Sequence, residues 1–565
     1  MCQWTNGNIP AVPSERGSQP PGTHARQPRA GPASESARIP VDIRRFPWIR
    51  KLAADYAFSF PSLAPFFAGD PASPSSWTEA IARAQKHPRQ RAQLAAILHM
   101  QLERRAAPAA ARNAASLVAD EKSVAIVTGQ QAGLFGGPLF TLYKALTALK
   151  LAERVREQHG VPAVAVFWVE AEDHDWDEVS SCAVLDNDLQ RRVIQMRRPA
   201  GAGHVPVGAI MLGDDIKNAV DELAAVLPPT EFSGPLLESL QRAYRPGHGM
   251  ADAFARWMDT LCGDHGLVVF DCSDASAKPL VGDIFAREIQ QPGKTWALAG
   301  EAGDKLAAGG YHAQVTGSAQ DGPALFHLDG GRTAIKTEDA TSIAAEVRAR
   351  PAAFSPNVLL RPIVEETLFR TVCYVSGPNE LAYLAQLRKV YEHFGVPMPL
   401  FYPRLSATIL DSASARFLAK HDLPFEALHA RDEAALNRLL ASSLPPAVDH
   451  ALGEADASIE RSMTALVAAV PAIDATLEGA ARSTLGKLQH DLATLRGKVI
   501  SAAKKRDETL RRQFFRAQAQ SFPDGMPQER AIGIVSLLNR YGPALVHRLL
   551  SDLPLDLGHH WIHTV

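Results

Sequence analysis

The densest run of reactive side chains is Glu170-Ala171-Glu172-Asp173-His174-Asp175-Trp176-Asp177-Glu178, where six carboxylates surround one imidazole. Such a group can hold a divalent cation, tune a general base, or grip a protonated amine. Its His–carboxylate spacing matches no standard zinc site, so no metal ligand is assigned. Glu172, Asp173, His174 and Asp175 are the candidate catalytic residues, orienting or deprotonating an amine. The plainer alternative is a solvated helix start, where acidic side chains are favourable. Placement argues for function, because the cluster directly follows the apolar run at residues 163–169.

A second candidate is Thr128-Gly129-Gln130-Gln131-Ala132-Gly133-Leu134-Phe135-Gly136-Gly137-Pro138. Glycines let backbone N–H groups approach a ligand closely, and the start of a following helix favours an anion. Gln130 and Gln131 add side-chain donors and acceptors. The spacing is neither G-x-G-x-x-G nor a phosphate-binding P-loop. The alternative is a tight turn that holds nothing. Thr128, Gly129, Gln130, Gln131, Gly133, Gly136 and Gly137 are the binding candidates here.

The third stretch spans residues 355–404. Ser376-Gly377-Pro378-Asn379-Glu380 can turn a strand into a helix, with Asn379 either meeting a ligand or capping the helix. Tyr383 and Gln386 can face a site or pack. Arg361 and Arg404 suit bidentate binding of a carboxylate or phosphate, against the commoner fate of a surface ion pair. There is no H-E-x-x-H, no G-x-S-x-G and no Cys/His zinc pattern. Cys182, Cys262 and Cys373 read as buried small hydrophobes. His559, His560 and His563 read as a solvated end.

These groups need elements to position them. Residues 123–128 form a short β-favouring run that stops at Gly129. Pro138 suits the first turn of a helix carrying Leu139, Leu142, Leu146 and Leu149 at helical spacing. The same grammar recurs at residues 163–169, at 266–270 and at 370–375. The last run leads into a helix with Leu381, Leu384, Leu387, Tyr391 and Phe394 on one side, stopped by Gly395 and Pro397. Strands alternating with amphipathic helices imply an α/β fold with a parallel sheet. Ligands in such sheets bind outside the carboxyl ends of the strands, where the polar stretches lie.

At 565 residues the chain suggests two or three structural units. Residues 1–38 read as a disordered leader or the product of an upstream start codon, without the apolar core of a secretory signal. Residues 39–405 form the α/β core, helical over 43–120, with a Gly/Ala-rich insertion near 295–350. Residues 406–520 turn helical and carry an arm at about 455–517, and 521–565 read as a helical cap. In the arm, Ile459, Met463, Leu466, Val470, Ile473 and Leu477 make a heptad seam. Pro471 should kink or restart that helix. Leu485, Leu488, Leu492, Leu495 and Val499 resume the seam, followed by a basic run at Lys504-Lys505-Arg506. The helices can pair within one chain or between two.

Charged residues make up 21% and net charge is -2, so no global field draws the chain to nucleic acid or a lipid surface. No apolar run reaches the roughly 18 residues a membrane span needs. Five cysteines, none in a C-x-x-C pair, fit a reducing cytoplasm better than a disulfide framework.

The segments VTGQQAGLFGGPLFTLYK (127–144), FWVEAEDHDWDE (167–178), GLVVFDCSD (266–274) and FPDGMPQERAIGIVSLLNRYG (522–542), together with residues 355–404, make the sequence recognisable. It resembles the cysteine-adding enzymes of bacillithiol biosynthesis (BshC), in the same order over roughly residues 43 to 565. The resemblance implies a Rossmann-like core, similar to class I aminoacyl-tRNA synthetases and nucleotidyltransferases, with connecting insertions. It also implies a coiled-coil arm that forms a homodimer, and a pocket for ATP or another nucleotide. The implied reaction is ligation of cysteine to the amino group of glucosaminyl-malate. Neither the HIGH nor the KMSKS signature of class I synthetases is present. The glycine-rich loop sits where the first would be expected. Rival readings are a nucleotidyltransferase-like enzyme acting on another amine or thiol, and a dimeric nucleotide-binding scaffold without catalysis.

Overall fold

Short apolar runs assemble into one five-stranded parallel sheet. The computed structural model describes residues 38–199, 202–430, 433–442, 446–506 and 508–565. Across the sheet the strands are Leu400–Pro403, Thr371–Ser376, Val124–Gln131, Ala163–Glu170 and Val268–Asp271. Every neighbouring pair is parallel. Ala163–Glu170 is buried along its whole length, as expected of an apolar run in a sheet covered on both faces. From Val124–Gln131 the chain steps outward to Ala163–Glu170 and Val268–Asp271. It then returns to the opposite side of Val124–Gln131 to lay down the last two strands. The order therefore reverses between Val124–Gln131 and Thr371–Ser376. In open α/β sheets the crevice at such a reversal, beyond the carboxyl ends, is where ligands bind.

Four of these strands match runs expected from sequence, and the edge strand Leu400–Pro403 does not. The first strand also runs further than expected. It continues through Gly129 to Gln131, with Gly129 opposite Trp168 and Gln131 opposite Glu170. A Cβ on Gly129 would lie 3.1 Å from the Trp168 carbonyl oxygen, so glycine is what lets pairing continue past the indole. The following helix begins at Phe140. Pro138 lies ahead of it and bridges to Gly533 instead.

The helix expected over 381–394 is two pieces, Leu381–Leu384 and Arg388–Phe394. Buried Gln386 sits in the break and clamps the insertion. Its Oε1 accepts the N–H groups of Gln314 (3.1 Å) and Val315 (3.0 Å), and its Nε2 donates to the carbonyls of Ala299 and Val315. The insertion itself carries helices Lys294–Ala308 and Ala340–Ala349, plus strands Leu325–His327 and Thr333–Ala334 that pair next to Phe354–Pro356.

The chain termini correct two expectations. Strand Arg38–Asp42 precedes the helical N-terminal part, and strand His559–Thr564 ends the chain after three short helices. His559–Thr564 lies between Arg38–Asp42 and Ala407–Leu410, hydrogen-bonded to both. The C-terminal residues are thus not wholly helical. His560 and His563 are buried in this small sheet rather than solvated, because strands flank them on both sides. A second apolar core, including Phe46, Phe417, Phe425 and Phe514, joins that sheet to the root of the arm.

The arm is a hairpin. Helices Pro446–Ala469 and Leu477–Arg506 are joined through a single 3-10 turn at Val470–Ala472, so Pro471 ends one helix and the next restarts. Gln489 donates to Glu460 across the hairpin at 2.6 Å, and Arg496 reaches Asp449 at 3.5 Å, which fixes the antiparallel pairing within one chain. The leader at residues 1–37 and the side chains of Lys504, Lys505 and Arg506 lie outside the described residues. Among the described residues, no helix is long and apolar enough to cross a membrane.

Candidate active site

At the reversal of strand order lies a cleft of about 370 Å³. Gly129, Gln130 and Gln131 reach it from the end of the first strand, and Glu170 from the end of its neighbour. Tyr374 comes from the fourth strand, Glu380 from its following turn, Tyr383 from helix Leu381–Leu384, and Arg361 and Glu365 from helix Arg361–Leu368. Lys144 enters from helix Phe140–His159.

Ion pairs organise the cleft. Arg361 Nε lies 2.8 Å from Glu170 Oε2, which also accepts the Trp168 indole N–H at 3.2 Å. The Arg361 Nε–H itself is aligned with no acceptor among the described residues. Lys144 Nζ donates to Glu380 Oε1 (2.6 Å), to the Gly129 carbonyl (2.8 Å) and to Gln130 Oε1 (3.1 Å). Asp173 receives Arg332 Nη1 at 2.9 Å and Gln131 Nε2 at 3.0 Å. Burial pushes the Asp173 carboxyl up, but Arg332, the His174 N–H and Gln131 together hold it below the usual carboxylate range. Gln131 Oε1 is buried and has no hydrogen-bond partner among the described residues.

The acidic cluster is divided among different tasks. Asp173 lines the cleft. Glu172 is buried away from it against Lys278, and its carboxyl is raised by burial despite the nearby ammonium. Asp175 caps the short helix Trp176–Val179 by accepting the Glu178 N–H at 3.2 Å. The His174 imidazole Nδ1 lies 3.4 Å from Asp173 Oδ1 without forming a hydrogen bond.

The glycine-rich segment is divided too. Thr128 is fully buried, and its hydroxyl donates to the Val375 carbonyl, tying two strands together. Gly133, Gly136 and Gly137 lie outside the cleft in a packed turn. Their N–H groups donate to the carbonyls of Gln131, Gly133 and Leu134, and the Leu139 N–H to that of Ile532. Gly136 has φ +96°, and a Cβ there would meet Trp257 Nε1 at 2.9 Å, so the position is reserved for glycine by conformation and space. Those donors are already satisfied, and no phosphate cradle is open among them.

Asn379 and Arg404 face a different cavity, of about 390 Å³, beside the small terminal sheet. Arg404 meets a carboxylate of its own chain: Nη2 lies 2.7 Å from Glu529 Oε1, both groups buried. Tyr383 lines the switch-point cleft, whereas Gln386 packs.

Sequence reasoning missed Lys144, Glu365, Glu380 and Arg332. Lys144 had a readable signal, because it is the lone cation among Leu142, Tyr143, Ala145 and Leu146 on a buried stretch of helix. Glu365 had a weaker one, an acid following Ile363-Val364 in a short helix. Arg332 arrives from the insertion, and nothing local announces it. Among the described residues, no group of three or more His, Cys, Asp or Glu side chains could hold a metal ion. The cleft suits ligands carrying both an ammonium and a carboxylate: paired cations stand at its walls, while among the described residues Glu178 at the rim and Glu365 inside form no ion pair.

Residues 39–405 match the family described as Bacillithiol biosynthesis BshC, N-terminal Rossmann-like domain, and residues 407–565 match Bacillithiol biosynthesis BshC, C-terminal coiled-coil domain. The chain belongs to the BshC family. The resemblance drawn from the sequence motifs is borne out, and the five-stranded sheet is the core of the Rossmann-like domain. Relatives named "Putative cysteine ligase BshC" include one from Salinibacter ruber, 35% identical over 540 residues that cover 93% of this chain and 97% of the relative. Another, from Chlorobaculum tepidum, is 33% identical over 465 residues, 76% of this chain and 81% of its own. A third, from Geobacillus thermodenitrificans, is 30% identical over 525 residues, 89% and 96% respectively.

Proposed function

We propose that this chain is the cysteine ligase of a bacillithiol pathway, joining the carboxyl of L-cysteine to the amino group of glucosaminyl-malate. The observation that carries this reading is the family match along nearly the whole chain, through both the Rossmann-like and the coiled-coil parts. The switch-point cleft is the proposed place of reaction. Cysteine and an amino-sugar malate conjugate both carry ammonium and carboxylate groups. The cleft has Lys144 and Arg361 for the one sign and Glu178 and Glu365 for the other. Asp173, held ionised by Arg332 and Gln131, orients an ammonium rather than removing its proton. Gln130, Gln131 and Tyr383 supply neutral hydrogen-bonding groups.

Amide formation from a free carboxylate needs activation, and a nucleoside triphosphate is the proposed co-substrate. The satisfied N–H groups of the glycine turn leave Lys144 and Arg361 as the cleft's cations for phosphate or carboxylate. Homodimerisation through the arm belongs to the same reading. Its support is the exposed apolar seam that the hairpin leaves uncovered, including Leu466, Leu488 and Leu495.

Purified protein given cysteine, glucosaminyl-malate and ATP should form the cysteinyl amide, detected by mass spectrometry after thiol labelling. Absence of both the amide and substrate binding would remove the ligase reading. Product from a different amine would favour the broader transferase reading.

A further inference from the structure

Helix Arg361–Leu368 places two consecutive acids, Glu365 and Glu366, in the protein interior at 3% and 2% exposure. Burial of an ionisable group is costly unless it is paired or has a task. Glu366 has Arg89 beside it and does not line the cleft. Glu365 lines the cleft, and among the described residues its carboxyl makes no hydrogen bond and no ion pair.

The other acids of the cleft are engaged or exposed. Glu170 holds Arg361, Glu380 holds Lys144, and Asp173 holds Arg332. Protonating any of these would break an ion pair, which makes them poor proton acceptors. Glu178 stands at the solvated rim. Among the described acids that line the cleft, Glu365 is the one both enclosed and without an ion pair.

We infer that Glu365 is the catalytic base of this cleft, taking the proton from the ammonium of the incoming amino sugar; the inference rests on the ligase reading above. In the step, an N–H bond of the ammonium breaks and an O–H bond forms on the Glu365 carboxylate, with the electron pair left on nitrogen as the attacking lone pair. That nitrogen then bonds to the carbonyl carbon of an activated cysteine acyl group, a mixed anhydride with phosphate. The C–O bond to phosphate breaks, the phosphate leaves with that electron pair, and it accepts the second proton from nitrogen. Nothing is oxidised or reduced.

The electrostatics agree with the geometry. Burial pushes the Glu365 carboxyl up to about 8, against the pull of Arg361 and with the repulsion of Glu170 and Glu380. The ammonium of a weakly basic amine, for which an α-amino group at about 8 is the reference, is then matched to it, so proton transfer is close to balanced. The groups that face Glu365 are Arg361 on its own helix, Glu170 at the neighbouring strand end, Glu380 on the turn, Tyr383 on helix Leu381–Leu384, and Lys144 on helix Phe140–His159. Tyr374 completes the set and stays neutral, raised by burial well above its ordinary value.

The test compares wild type, Glu365→Gln and Glu365→Asp as full-length proteins. Gln is an isostere of the protonated acid and should fold; Asp withdraws the carboxyl by one methylene and keeps the test open if Gln does not. Two readouts are taken: the pH profile of kcat/KM for glucosaminyl-malate, and infrared difference spectra of the carboxyl C=O band between pH 6 and pH 10. The expected wild-type profile rises through an acidic limb near pH 8. Glu365→Gln loses that limb and at least about 100-fold of the rate at neutral pH. Glu365→Asp recovers part of the rate. The infrared band that titrates near pH 8 in the wild type is absent from Glu365→Gln. An active Glu365→Gln with an unchanged profile overturns the role of Glu365 and leaves the ligase reading standing. A wild type that makes no amide removes both, and so differs plainly from the first failure.

Discussion

Individual residues in this protein are set by what pairs with them more than by which motif they belong to. Glu172 and Asp173 are neighbours in sequence, yet one is locked to Lys278 inside the protein and the other holds Arg332 at the cleft. Removing one partner of a buried pair leaves an uncompensated charge, which costs roughly 3–5 kcal/mol. Lys278→Met should therefore destabilise the protein by about that amount in urea denaturation, and Lys278→Met with Glu172→Leu should recover most of it. Equal stability of the single and double variants would contradict the pairing. The six-acid cluster was legible as a feature, but its division of labour was not. The residues that divide it, Lys278 and Arg332, come from over 100 residues further along the chain.

Elements were legible where period and punctuation agreed, and missed where long-range pairing overrode them. The alternation of apolar runs and amphipathic helices announced the parallel sheet. It could not announce strand order, and strand order is what locates the cleft. The break between Leu381–Leu384 and Arg388–Phe394 was invisible because the hydrophobic spacing runs on through it. Only the hydrogen bonds of Gln386 to the insertion explain it. The final strand was hidden because His559, His560 and His563 read as polar.

That last strand has a measurable consequence. His560 is buried between Ser406 and Thr408, whose hydroxyls lie 2.7 and 2.9 Å from its ring nitrogens. Burial lowers its pKa from 6.5 to about 4, outweighing the pull of Glu529 and aided by Arg404. The folded state thus disfavours the proton relative to the unfolded chain. Its stabilising effect is fully present above pH 6.5 and is lost as pH falls toward 4, by up to about 3 kcal/mol. Denaturation curves at pH 7 and pH 4.5 should show that loss in the wild type and a smaller one in His560→Gln. Identical pH slopes would show that the small sheet does not exclude the proton.

At the scale of the whole molecule, a Rossmann-like core carries an arm whose helices satisfy only part of their apolar seam by pairing with each other. No residue of helix Pro446–Ala469 is buried, and Ile473 at the turn is 84% exposed. Sedimentation should give a dimer for the wild type and a monomer for Leu466→Glu/Leu488→Glu/Leu495→Glu. A wild type that sediments as a monomer would contradict dimerisation through the arm. The heptad seam was readable from spacing alone. The choice between pairing within and between chains was not, because an apolar heptad face suits either partner.

The molecule has two sizeable cavities among those near candidate residues, and the proposal places ligation in the one at the reversal of strand order. The direct measurement is kcat/KM for amide formation in Gln131→Leu and Tyr383→Phe, which line that cleft, beside Asn379→Ala, which lines the other. Each cleft variant loses one polar contact, so a drop of about 10- to 100-fold is expected at unchanged melting temperature, with Asn379→Ala within about threefold of wild type. The reverse pattern, with Gln131→Leu and Tyr383→Phe at wild-type rate and Asn379→Ala impaired, would place the chemistry in the other cavity.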